Sequence, residues 1–125
     1  MDKVFVYGSL KKGCYNHRLM KNSEFIGNGT VDNMLLYSLG AFPAIIPAKE
    51  NEKSFAVKGE VYEVNAETLK MLDKLEGNGH FYTRELRTIN TSIGPLEAWV
   101  YILTDLNSLF RAKKLNTDNW KGDVV

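Results

Sequence analysis

The sequence predicts an α+β fold, a small mixed β-barrel or strongly curved sheet with helices flanking it. Two observations lead to this prediction. About six segments have the composition of strands and two have that of helices, and these segments do not alternate strictly along the chain. No repeat, low-complexity block or linker divides the sequence, so residues 1–125 are expected to form a single domain.

The predicted strands are rich in β-branched and aromatic residues and are bounded by turn residues. They span residues 3–7, 24–31, 34–38, 57–64, 82–90 and 96–103. Asp32 and Asn33 separate the second strand from the third, and residues 92–95 join the last two as a hairpin-like connection. Residues 40–47 carry two prolines, so this segment is predicted as a loop with an extended piece that can pair only at a sheet edge or beside a bulge.

Two helices are predicted from their capping residues and their periodicity. The first spans residues 16–21 and begins at a capping asparagine. The second spans residues 66–76, where Asn65 can cap the start and Gly77 supplies the left-handed residue that commonly ends a helix. The tail is expected to hold a last extended or helical piece that ends near Trp120.

The charge balance argues against polyanionic partners. Sixteen basic residues against 15 acidic residues leave a net charge of +1, too small to attract nucleic acid or anionic lipid strongly. Cys14 is the one cysteine, so no intrachain disulfide can form and a reducing compartment suits the chain. The sequence contains neither a signal-peptide core nor an apolar stretch of the ~18 residues that a membrane span needs. We therefore expect a cytoplasmic protein without nucleic-acid or membrane partners.

Glu76 occupies an unusual position on the second predicted helix. On a helical wheel of about 100° per residue, Leu69, Met71, Leu72 and Leu75 group into one arc, and Glu76 falls inside that arc. Burial and the negative end of the helix dipole both raise the pKa of a carboxyl group. Such a carboxyl group is suited to general acid/base catalysis. The alternative is a last-turn glutamate that simply extends into water.

The first predicted strand, residues 3–7, is followed by a glycine turn. Several consecutive amide groups at such a turn can point at one carboxylate or phosphate. Gly8 and Gly13 have the spacing of a phosphate-binding P-loop, but Cys14 and Tyr15 stand where that loop needs a lysine and a serine or threonine. The sequence therefore has no machinery for nucleotide hydrolysis.

A series of short motifs occurs along the chain in a characteristic order. The motifs are VFVYGSLKKG at 4–13, NH at 16–17, GAFP at 40–43, GEVY at 59–62, LDKLEG at 72–77, YTR at 82–84, AWVY at 98–101 and DNW at 118–120. By these motifs the chain resembles the gamma-glutamylcyclotransferase-like family, and in particular the compact branch that includes gamma-glutamylamine cyclotransferase. The resemblance extends from the first strand to Trp120.

The resemblance implies a small mixed barrel with a cavity between the glycine turn and a glutamate. It implies that the backbone of Tyr7, Gly8, Ser9 and Leu10 binds the alpha-carboxylate of a small-molecule gamma-glutamyl substrate, and that Glu76 is the catalytic acid/base. The reaction would cyclise the gamma-glutamyl part to 5-oxoproline and release the amine, without a metal or organic cofactor.

Further expectations concern the oxyanion and the strand arginine. The tetrahedral intermediate needs a hydrogen-bond donor, and either a turn amide or the Tyr82 hydroxyl is expected to supply it within the substrate-binding site. Arg84 could steer an anionic substrate, although pairing with Glu60 or Glu85 across the sheet is the structural alternative.

Other polar residues fit catalytic patterns poorly. Ser9 lacks the G-x-S-x-G setting of a hydrolase nucleophile, and Cys14 with His17 or His80 offers only a generic thiol arrangement. The two histidines do not have metal-site spacing. Two classes of function stay open: a cyclising enzyme, or a non-catalytic module that binds a small molecule or a partner on the same scaffold.

Overall fold

The computed structural model describes residues 1–121, and in this part of the chain it contains seven strands, one α-helix and two 3₁₀ helices. The strands are β1 (Asp2–Val6), β2 (Glu24–Ser38), β3 (Pro43–Pro47), β4 (Phe55–Val64), β5 (Tyr82–Thr91), β6 (Gly94–Leu103) and β7 (Lys113–Lys114). Helix α1 spans Ala66–Glu76, and the 3₁₀ helices span His17–Met20 and Leu106–Arg111.

Five strands close into a barrel in the order β2, β4, β1, β6, β5 and back to β2. Strands β1 and β6 are parallel, and the other neighbours are antiparallel. The closing contact pairs Gly29 with Thr91 and Thr30 with Asn90. Strands β3 and β7 pair with β2 outside this ring. The predicted α+β class with a barrel-like sheet is thereby confirmed.

The core consists of two groups of buried side chains, because successive residues of a strand point to opposite faces. One group fills the barrel and includes Phe5, Val57, Val61, Ile89 and Val100. The other lies on the outer face, where Val4, Val6 and Val64 pack with Leu69 and Leu72 of α1. Each fully buried aliphatic or aromatic side chain contributes ~1.5–3 kcal/mol relative to an exposed one.

Gly59 lets β4 approach β1 closely at the centre of the barrel. A Cβ atom at this position would lie 2.6 Å from the Phe5 ring and would also collide with the Val6 carbonyl oxygen. Since neither group has free space to retreat into, only glycine fits here. The close approach positions β1, whose C-terminal end leads into the glycine turn.

Helix α1 has the bounds that its local signals predict. The Asn65 side chain accepts a hydrogen bond of 2.8 Å from the Thr68 amide, and Gly77 ends the helix in the left-handed conformation with φ 60° and ψ 49°. The helix is 11 residues long, and within residues 1–121 no helix is long and apolar enough to cross a bilayer. Its C-terminal residue is Glu76.

The predicted break between residues 31 and 34 is wrong. Strand β2 is continuous, and it accommodates Asp32 and Asn33 as a register shift against β4, with Asn33 at a positive φ of 60°. Residues with turn propensity can form a bulge as well as a turn, and the bulge keeps the pairing on both sides.

One other local prediction is corrected by the fold, and one is confirmed. The first helix is a single 3₁₀ segment, and the Asn16 side chain makes no capping hydrogen bond; its amide group donates to Ser9 Oγ. The extended piece expected within residues 40–47 is strand β3, Pro43–Pro47, which pairs with β2 at the edge of the sheet, as predicted. The prolines are tolerated because β3 lies at the edge of the sheet.

Candidate active site

A cavity of about 240 Å³ opens at the end of β1. Its walls come from the turn after β1, the connection between β2 and β3, the last turn of α1 and the start of β5. The lining residues are Phe5, Val6, Tyr7, Gly8, Ser9, Leu10, Asn16, Phe42, Pro43, Leu75, Glu76, Phe81, Tyr82 and Tyr101. The volume lies just below the ~300–1,000 Å³ typical of drug-sized ligands, so the cavity suits a small molecule.

The turn after β1 presents amide groups that the protein itself does not use. The Gly8 carbonyl accepts a hydrogen bond from the Lys11 amide at 3.0 Å, and the Ser9 carbonyl accepts one from the Asn16 amide at 2.8 Å. The Asn16 side chain donates to Ser9 Oγ at 3.0 Å and holds that hydroxyl in place. The amides of Gly8, Ser9 and Leu10 donate to no group within residues 1–121. They are therefore available to an anion in the cavity.

Gly8 is required by its contact with β3. A Cβ atom at this position would lie 2.6 Å from both Cγ and Cδ of Pro43. Pro43 is a buried residue, and its carbonyl accepts a hydrogen bond from the Tyr82 hydroxyl at 2.7 Å. Glycine thus lets the turn lie directly against the cavity wall.

The Glu76 carboxyl group faces this cavity from the last residue of α1. The side chain is half-buried, and within residues 1–121 its carboxylate forms neither a hydrogen bond nor an ion pair. Burial without a compensating donor penalises the charged form and raises the pKa of Glu76 from 4.5 to about 7. The group can therefore both accept and return a proton near neutral pH.

Three tyrosines surround the Glu76 carboxyl group, and the hydroxyl of each already donates a hydrogen bond to another group. Tyr7 donates to the Tyr101 carbonyl at 2.7 Å, Tyr82 donates to the Pro43 carbonyl at 2.7 Å, and Tyr101 donates to Asp73 at 2.7 Å. Burial, with a smaller contribution from the nearby Glu76 charge, raises the pKa of Tyr82. To act as the expected oxyanion donor, the Tyr82 hydroxyl would have to break its hydrogen bond to the Pro43 carbonyl. The turn amides could donate to the oxyanion without breaking an existing hydrogen bond.

The last turn of α1 is fastened to the barrel through Asp73. Its Oδ1 accepts a hydrogen bond from Arg84 Nε at 2.8 Å in addition to the one from Tyr101. The Arg84 guanidinium also lies 4.2 Å from the centre of the Trp99 ring. Since Asp73 and Glu76 are three residues apart, this cluster fixes the part of the helix from which the Glu76 side chain extends.

The predicted pairing of Arg84 with Glu60 or Glu85 is wrong. Arg84 pairs with Asp73, because α1 covers the outer face of the sheet at this point. Glu85 pairs instead with Arg87 at 2.6 Å, and Glu60 accepts a hydrogen bond from the Tyr62 hydroxyl at 3.0 Å. Arg84 is not among the cavity-lining residues.

The structure brings all the candidate site residues to one cavity, namely Tyr7, Gly8, Ser9, Leu10, Glu76 and Tyr82. Eight further residues line the cavity and were not among the predicted site residues, namely Phe5, Val6, Asn16, Phe42, Pro43, Leu75, Phe81 and Tyr101. The GAFP motif at 40–43 contained a signal for two of them, but its position beside the turn depends on the pairing of β3 with β2.

The thiol and the histidines lie outside this cavity. Cys14 does not line it, His17 contacts the Leu10 carbonyl through Nδ1 at 3.0 Å, and His80 is exposed. Within residues 1–121, no three His, Cys, Asp or Glu side chains cluster in a way that could hold a metal ion.

The closed barrel and its cavity define a class of protein, a small α+β barrel with a small-molecule pocket at the end of its first strand. The chain belongs to the family described as gamma-glutamyl cyclotransferase, AIG2-like, whose model matches residues 4–122. The resemblance inferred from the sequence motifs is thereby confirmed.

Individual relatives agree with this assignment. A relative from Methanocaldococcus jannaschii is 44% identical over 103 residues, which cover 81% of this chain and 83% of that protein. The solution structure of YtfP from Escherichia coli, a protein named as a member of the gamma-glutamylcyclotransferase family, has a TM-score of 0.67 at 36% identity and covers 95% of this chain and 96% of its own. A mouse AIG2-like protein shares the fold, with a TM-score of 0.78 at 23% identity over 97% of this chain and 88% of its own.

Proposed function

We propose that this protein cyclises the gamma-glutamyl part of a small gamma-glutamyl amine or peptide to 5-oxoproline and releases the free amine, with Glu76 as general acid/base. One observation carries the proposal. A carboxyl group whose pKa is raised to about 7 and a turn with three uncommitted amides line the same small cavity. The family membership supports this type of chemistry.

In this proposal the turn binds the substrate's alpha-carboxylate. The amides of Gly8, Ser9 and Leu10 can donate hydrogen bonds to an anion. Because backbone amides carry no formal positive charge, they do not form an ion pair with the Glu76 carboxylate in place of the substrate's ammonium group. The substrate's alpha-ammonium group then lies toward the Glu76 carboxylate. The substrate is thereby anchored at both ends of its alpha-carbon.

The reaction requires a proton acceptor because an alpha-ammonium group has no lone pair with which to attack. Glu76 takes one proton, and the freed nitrogen attacks the gamma-carbonyl carbon to form the lactam C–N bond. The original amide C–N bond then breaks. The attacking nitrogen loses two protons overall, one to the departing nitrogen and one that converts the released amine to its ammonium form, and Glu76 carries each in turn.

The remaining acceleration comes from position and charge stabilisation. Holding the amine against the gamma-carbonyl in a near-attack geometry is worth up to ~7–11 kcal/mol in favourable cases. The turn amides that do not bind the carboxylate are the best available donors to the oxyanion, since the Tyr82 hydroxyl is committed to Pro43.

The variant Glu76→Gln tests the proposal because it keeps the shape of the side chain and removes the base. We expect 5-oxoproline release from a panel of gamma-glutamyl amines and peptides to fall by ~100-fold or more, while substrate binding measured by calorimetry persists. In the unaltered protein, kcat/KM should rise with pH to a plateau above about 7, because Glu76 must be ionised to act.

The matched control is Glu97→Gln, a change at an exposed position of β6 outside the cavity, which should leave the rate unaltered. An unchanged rate in Glu76→Gln would refute the role of Glu76. Binding of gamma-glutamyl compounds without any turnover by the unaltered protein would instead favour the non-catalytic alternative.

A further inference from the structure

The mouth of the cavity is apolar and largely aromatic. Phe42, Leu75 and Phe81 line it from three separate segments, the β2–β3 connection, the last turn of α1 and the connection before β5. Phe42 is 40% exposed and Leu75 is 46% exposed, so both lie where the cavity meets solvent. The rings of Phe42 and Phe81 pack edge to face, with centroids 6.3 Å apart.

The cavity walls offer no cation to a second anionic group. Among the lining residues described by the structure, none is lysine, arginine or histidine, and Glu76 is the one carboxylate. The Arg84 guanidinium, which does not line the cavity, pairs with Asp73 and lies over the face of Trp99. Glu76 is therefore the one residue with a formal charge among these lining residues, and the turn amides are assigned to the alpha-carboxylate.

We infer that the departing part of the substrate is an amine with an apolar, preferably aromatic, substituent and without a carboxylate of its own. The inference rests on the proposed function, because it assigns the walls at Phe42, Leu75 and Phe81 to the leaving group. With the alpha-carboxylate on the turn and the alpha-amine at Glu76, these apolar walls are the part of the cavity left for that group.

Two physical terms favour this substrate class. An apolar substituent removes the exposed surfaces of Phe42 and Leu75 from water when it binds. A carboxylate at the same place would lose its hydration without gaining a cation and would repel the ionised Glu76. Gamma-glutamyl dipeptides, whose leaving group is an amino acid, therefore fit the cavity less well than gamma-glutamyl amines.

The test compares two substrates that differ by one carboxylate, gamma-glutamyl-phenethylamide and gamma-glutamylphenylalanine. We expect kcat/KM for 5-oxoproline release to be at least about tenfold higher for the phenethylamide than for gamma-glutamylphenylalanine. Gamma-glutamyl-ethylamide lacks the ring, and its kcat/KM should be lower than that of the phenethylamide by a factor of roughly ten or more. Introducing a cation by Phe42→Lys should shift the preference toward gamma-glutamylphenylalanine.

The control is Phe110→Lys, which adds the same charge at a position that is 92% exposed and outside the cavity, and it should keep the original preference. Cyclisation of both matched substrates with equal kcat/KM would overturn the inference and leave the proposed function intact. The same conclusion would follow if other gamma-glutamyl compounds were cyclised and neither of these two were. Failure of every gamma-glutamyl compound to yield 5-oxoproline would overturn the inference and the proposed function together.

Discussion

Glu76 stands at a position that opposes the ionisation of a carboxylic acid. It is the last residue of α1, where the helix carbonyls point outward, and its side chain enters a cavity of mainly aromatic and aliphatic walls. Burial raises its pKa to about 7. In a protein selected for stability alone, an uncharged side chain would fit this position better, so the glutamate indicates a functional site.

The first prediction concerns the pH dependence of stability. The pKa of Glu76 is 4.5 when unperturbed and about 7 in the folded protein, so between these values the folded state retains a proton that the unfolded state has released. The stability associated with the protonated Glu76 carboxyl group is fully present below pH 4.5 and is lost as the pH rises through 7. Glu76→Gln, which cannot ionise, should therefore be ~1–3 kcal/mol more stable than the unaltered protein at pH 8.

Urea unfolding of both proteins from pH 4 to pH 8 measures this difference. Below the unperturbed pKa the two proteins should differ little, and the gap should open in favour of Glu76→Gln as the pH rises. A gap that stays constant across this range would show that the carboxyl group is solvated in the folded protein.

At the level of secondary structure, α1 has two ends with different tasks. Its start is fixed by a local cap, the bond between the Asn65 side chain and the Thr68 amide. Its last turn is fixed by a tertiary contact, in which Asp73 accepts hydrogen bonds from Arg84 and Tyr101. The first contact stabilises the helix, and the second also positions the end of the helix that carries Glu76.

The second prediction separates these two tasks. Asp73→Ala removes the tertiary contact and should cost ~1–3 kcal/mol of stability, while kcat falls roughly 10- to 100-fold because small displacements of an acid/base group are costly. The matched variant on the same helix, Asn65→Ala, should cost ~0.5–2 kcal/mol and leave kcat unaltered.

Urea titrations and steady-state kinetics on the two variants provide both readouts. Equal losses of kcat in the two variants would show that the activity follows helix stability alone, and Asp73 would then have no positioning role.

At the level of the whole molecule, the barrel decides where the glycine turn lies. Strand β1 is the central strand that carries the turn, and it is held between β4 on one side and β6 on the other. Its separation from β4 depends on Gly59, whose missing side chain leaves room for the Phe5 ring and the Val6 carbonyl. A substitution at Gly59 inside the barrel is therefore expected to displace β1 and, with it, the turn that lines the cavity.

The third prediction tests this dependence with two glycines. Gly59→Ala should lower the free energy of unfolding by ~1–3 kcal/mol and raise KM, because overpacking pushes β1 and its turn away from β4. Gly27→Ala, on β2, is the control, since a Cβ there has no neighbour within 4 Å and the stability should change little. Denaturation and kinetics that show no difference between the two variants would contradict the tight packing at Gly59.

The sequence alone determined the features that depend on neighbouring residues. The bounds of α1 followed from Asn65 and Gly77, and the inward position of Glu76 followed from its spacing to Leu69 and Leu72, both of which are buried. Met71 and Leu75 shared the same predicted arc and are 38% and 46% exposed. A helical wheel gives the direction of a side chain but does not show how far the barrel extends beneath it.

The tertiary structure decided the features that depend on contacts between segments distant in the sequence. The closure of the barrel between Gly29 and Thr91, the continuity of β2 through Asp32 and Asn33, and the pairing of Arg84 with Asp73 all join residues whose local sequences permit several partners. The cavity has the same origin, since Phe42 and Phe81 meet only after β3 pairs with β2 and α1 packs on the barrel. Local hydrogen bonds and helical spacing are encoded within a few residues, whereas the choice among long-range partners is made by the packing of the whole chain.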